Sequence, residues 1–124
     1  MRLSEKEFDG IVERSIRRLP AEIRQHLDNI VISVLQQPSR AILAELGLPP
    51  DEPLLGVFQG VPLPERSVTQ PPLYPDTIFL FQRPLEDICR TTEELVTQVE
   101  ITVAHEVAHF LGFSEEQLAD LGYG

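Results

Sequence analysis

TTEELVTQVEITVAHEVAHFLG, residues 91–112, decides the fold. Thr91 followed three residues later by Glu94 reads as a capping box, which marks a helix start. From there Leu95, Val99, Val103, Val107 and Phe110 recur at helical spacing, so one helix is predicted to Leu111. A second stripe runs Gln98, Thr102, His105, His109. The helix therefore has a packing face and a polar face. Gly112 stands where it must stop, because glycine accepts the left-handed geometry that turns the chain sharply.

The polar face carries the chemistry. His105 and His109 are four residues apart, so both imidazoles lie on one side of the helix at a spacing that suits a single metal ion. Glu106 lies beside them, placed to hold a water rather than the metal. They use two of the three histidines in the chain. A catalytic zinc site has three protein ligands and one open position. The natural third ligand is Glu115, three residues beyond Gly112; its place just after the helix cap Ser114 would by itself also account for an acid there. Glu116 would point about 100° away from Glu115 on a helix. Two imidazoles and a carboxylate suit zinc best, and iron, cobalt and nickel also bind such a set.

Outward from this helix, Ser4 and Glu7 form another capping box, followed by Phe8, Ile11, Val12, Ile16 and Leu19 at helical spacing. A helix over about 4–19 is predicted, with Pro20 stopping it or opening a short turn to Leu27. Asn29–Leu35 reads as a buried strand and Ser39–Leu46 as a short helix stopped by Gly47. Pro49, Pro50 and Pro53 make a rigid connector. Leu54–Gln59 and Thr77–Gln82 are two more strands, separated by a long loop (61–76) with five prolines. Ser114 and Gln117 start a last short helix. The whole is one domain, 1–124.

Composition sets limits. The chain has 124 residues, 42% hydrophobic and 24% charged, with a formal charge of -10. The acidic balance argues against nucleic acid as a partner, since phosphate binding needs basic patches. No apolar run is long enough for a membrane span, and the first residues lack a signal peptide's apolar stretch, so a cytoplasmic location is expected. The single cysteine, Cys89, reads as a buried structural residue rather than a thiolate ligand. His26 reads as a surface residue, and Asp120 as a solvated acid or a partner to a metal ligand. Tyr74 and Tyr123 either pack or stabilise an oxyanion. Arg66 either meets a substrate carboxylate or is solvated.

With these residues in place, the chain resembles the zincin metallopeptidases, and more narrowly a small bacterial family of minimal zincin-like proteins. The resemblance lies in Leu54–Leu63 with Arg66-Ser67, in Pro75–Phe81 with Pro84-Leu85, and above all in Thr102–Gly112. The longer spacing also resembles the metzincin pattern, which has histidine or aspartate where Glu115 stands, and a methionine turn that this chain lacks. The resemblance implies an α+β fold, a small mixed sheet of three or four strands packed on the active-site helix. It implies a Zn2+ peptidase acting on peptide or protein substrate with Glu106 as general base. An extended peptide would then add to a sheet edge, either Thr77–Gln82 or Leu54–Gln59. The competing expectation is a zincin-like metal-binding module without proteolysis, acting through an unidentified protein partner. A metal-dependent ribonuclease also pairs two helical histidines, but lacks an acid at the place of Glu106.

Overall fold

The computed structural model describes residues 1–49, 54–60 and 75–123. It is an α+β fold. Helix α1 (Glu5–Arg17) and the single turn α2 (Ala21–Arg24) lead through a 3-10 turn (Leu27–Asn29) into strand β1 (Val31–Leu35). Helix α3 (Arg40–Glu45), strands β2 (Gly56–Gln59) and β3 (Thr77–Phe81), and helices α4 (Gln82–Asp87), α5 (Thr92–Leu111) and α6 (Glu115–Asp120) follow. The sheet is mixed and three-stranded, in the order β1-β3-β2. β1 runs parallel to β3, with Ser33 opposite Phe79, and β2 runs antiparallel to it, with Val57 opposite Phe79. Among the described residues no helix is long and apolar enough to cross a membrane.

Burial explains the packing. Phe8, Ile11 and Val12 of α1, Leu95, Val96, Val99 and Val103 of α5, and Ile78 and Leu80 of β3 form one buried cluster. Burying such side chains is the main favourable term in folding. Two polar contacts fix α1 on α5: Ser15 Oγ lies 2.9 Å from Val96 O, and Arg14 meets Glu93 at 2.7 Å. α4 turns buried polar groups inward, and each finds a partner. Gln82 Nε2 donates to Leu3 O and to Glu86 Oε2, both at 2.9 Å, while Leu3 N–H donates to the same Glu86 oxygen. A buried carboxylate without such donors would be costly.

Several expectations are corrected. α1 ends at Arg17, with Arg18 as its cap, and not at Leu19. β1 is a half-buried edge rather than a buried strand: Val31 and Leu35 are 49% and 38% exposed, since none of the described residues covers its outer ends. Asn29 belongs to the turn before it. The strand expected over Thr77–Gln82 stops at Phe81, and Gln82 opens α4, a helix absent from the sequence reading. Pro84 lies in its first turn, where no intrahelical donor is needed. At α5 the Thr91 hydroxyl accepts from Glu94 N–H as expected, but Glu94 reaches the Arg90 N–H at 2.7 Å, so the box is not closed on Thr91. The connector prolines 50 and 53, and most of the long loop with Arg66 and Tyr74, lie outside the described residues.

Candidate functional site

The site forms where α5 crosses the β2 edge. Gly56 permits this crossing. A Cβ there would stand 2.7 Å from Thr102 Cγ2 on α5, closer than real contacts allow, and a tight 3.0 Å from Phe79 O, so glycine lets the strand lie this close. Two residues on, the Phe58 ring packs on Phe110 of α5, centroids 5.4 Å apart. The strand's Phe58 N–H then meets Glu106 Oε1 at 2.8 Å. Glycine, aromatic pair and backbone donor together bring the strand edge onto the helix residue singled out as the base.

Glu106 is buried, with its carboxylate bonded to the backbone of β2. Burial raises its pKa by disfavouring the charged form, and the Phe58 N–H and the two histidines pull it back. Its other oxygen, Oε2, faces His109 Nδ1 at 3.8 Å. His109 is on the open side, its side chain 74% exposed. His105 is half-buried one turn earlier, and its Nε2 lies 3.1 Å from the main-chain oxygen of Tyr123. Beside Glu106 and His109 opens a groove of about 690 Å³, walled by Leu46, Leu48, Val57 and Phe113. Gly112, with φ at +74°, ends α5 in the left-handed cap expected of it. The reversal brings Phe113 N–H onto Ala108 O at 2.9 Å.

His105, Glu106 and His109 all lie on α5, with Glu106 Oε2 3.8 Å from His109 Nδ1. Glu115 is exposed in the first turn of α6, whose cap is a complete Ser114–Gln117 box. Among the described residues, no three His, Cys, Asp or Glu side chains converge as a metal cage. The donors present still suit zinc in kind: two imidazoles one helical turn apart, beside a buried carboxylate. Glu116 and Asp120 are exposed on α6, and His26 is half-buried near Gln25. Cys89 is buried, and burial raises its thiol pKa.

Tyr123 donates its hydroxyl to Glu100 Oε2 at 2.5 Å. Burial and that carboxylate push the phenol's pKa well up. Two partners escaped the sequence reading: the Phe58 N–H and the Glu100–Tyr123 pair. Backbone groups carry no residue-type signature. Gly56 inside a strand was the one available sign of a close approach.

Residues 27–124 match a family model whose description is zincin-like metallopeptidase. No curated protein matches the chain.

Proposed function

The chain belongs to the zincin-like metallopeptidase family, and on that premise we propose that it is a zinc-dependent peptidase with Glu106 as general base. His105 and His109 hold the metal, and Glu115 completes the set from α6. When bound, zinc supplies a Lewis acid that polarises the scissile carbonyl and acidifies a water. The other work falls to the chain's own residues.

The observation that carries this reading is the hydrogen bond from Phe58 N–H to Glu106 Oε1 at 2.8 Å. It fixes the carboxylate in one orientation and leaves Oε2, on the His109 side, as the oxygen that exchanges protons. Burial strengthens its hold on a proton, which suits a group that must take one from water and return it to a leaving amine. β3 is the central strand, so it is excluded as the edge that receives an extended peptide, and β2 remains. A substrate strand laid along β2 passes Glu106 and the groove that Val57 and Phe113 wall.

Glu106→Gln tests the mechanism. The amide keeps the side chain's size and an oxygen for the Phe58 N–H. Zinc content by mass spectrometry is expected to stay at the wild-type level while peptide cleavage falls about 10²- to 10⁴-fold. Cleavage at the wild-type rate would overturn the assignment. Glu115→Ala separately tests the third ligand: loss of bound zinc supports it, and full retention removes it.

A further inference from the structure

The segment after α6 lies on the metal-binding face. Tyr123 presents its main-chain oxygen to His105 Nε2 at 3.1 Å. A carbonyl only accepts, so that nitrogen carries the ring's hydrogen and has no lone pair for a metal. His109 turns Nδ1 toward Glu106 Oε2, at 3.8 Å, and so offers Nε2 outward. An ion shared by the two imidazoles would then be held through their Nε2 atoms. One of these is the atom that Tyr123 covers.

The contact is fastened from a distance. The Tyr123 hydroxyl donates to Glu100 Oε2 at 2.5 Å, five residues before His105 on the same helix. The other Glu100 oxygen faces Arg18 Nε at 3.0 Å. That pair is electrostatic, and among the described residues Oε1 has no hydrogen-bond partner. Tyr123 N–H also donates to Leu118 O at 3.1 Å, and Gly122, at φ +95°, supplies the turn. Hydroxyl, amide and carbonyl of one residue are thus each held, the last on a metal ligand.

We propose that Leu121–Tyr123 is a latch: docked, it occupies His105 Nε2, and metal loading and docking exclude each other. For loading, the Tyr123 oxygen leaves and the imidazole hydrogen moves through solvent from Nε2 to Nδ1, with no net gain or loss of a proton. Apparent affinity is then the intrinsic affinity reduced by the fraction of chains with the latch open. Glu100 sets that fraction. The proposal rests on the reading that His105 takes a metal, and does not depend on peptide cleavage.

Zinc alone, titrated against a competing chromophoric chelator, tests this on the full chain and on Tyr123→Phe. The variant loses the hydroxyl's bond to a carboxylate, worth about tenfold, and is expected to bind zinc about tenfold tighter. Amide hydrogen exchange on the unaltered protein gives a readout that needs no variant. Zinc is expected to speed exchange at Tyr123 while leaving the α5 amides slow. Equal or weaker zinc binding by Tyr123→Phe overturns the latch, as does slower exchange at Tyr123 with zinc. Undiminished zinc affinity in His105→Ala overturns the metal assignment beneath it, and is told apart by that variant alone.

Discussion

The sheet has two edges, and among the described residues the candidate site lies on one of them. β1 and β2 flank the same strand, β3, in the order β1-β3-β2. The β1 edge leaves Val31 and Leu35 half open to solvent, and a pocket beside it is lined by polar groups including Glu5, Asp9 and Gln36. The β2 edge lies against α5, with Gly56 on Thr102, Phe58 on Phe110, and the Phe58 N–H on Glu106. Strand edges always offer backbone donors and acceptors. What distinguishes β2 is that a helix brings a buried carboxylate and two imidazoles to it. The glycine that permits this approach belongs to the site as much as the charged residues do.

The comparison breaks most completely at the strand that both edges share. Leu80 is fully buried in β3. Leu80→Ala is expected to cost about 2–5 kcal/mol, read by urea unfolding, and to weaken both edges together. Gly56→Val acts where β2 meets α5 and β3. The added side chain meets Thr102 Cγ2 and Phe79 O, at a cost of about 1–3 kcal/mol. It also draws the Phe58 N–H from Glu106, so cleavage falls further than stability does. Gly56→Ala with Thr102→Ser, which removes the clashing methyl, is expected to recover part of that loss. A Gly56→Val protein with wild-type cleavage would show that the close approach is dispensable. On the other edge, Val31→Thr should change stability by less than about 0.5 kcal/mol and leave zinc affinity alone. A large effect there would mean that the two edges are coupled through β3.

These sites differ in how much of them was legible beforehand. α5 announced itself, because cap, apolar period and stop glycine all agree over residues 91–112. The helix places His105, Glu106 and His109 at the spacing read from the sequence. β1 misled because an apolar run reads as buried, whereas the exposure of Val31 depends on what the rest of the chain places beside it. α4 was hidden because a proline next to a strand looks like an ending, although the first turn of a helix accepts it. The Glu106 partner was invisible for another reason: it is a backbone N–H, the same in every residue but proline. Glu115 shows the limit of spacing. Its place after Ser114 fits a cap and a ligand equally well, and the structure shows the complete cap.

The family match begins at residue 27, whereas the core begins at α1. Phe8, Ile11 and Val12 lie in the same cluster as Leu95, Val96 and Val99 of the site-bearing helix. Ser15 and Arg14 fix that contact. A recombinant fragment trimmed to residues 27–124 would keep every residue of the candidate metal site and lose the cover over the helix that carries it. The bared apolar stripe would favour self-association and precipitation. Poor yield of such a fragment would then report a missing wall of the core, and would say nothing about the chemistry of the site.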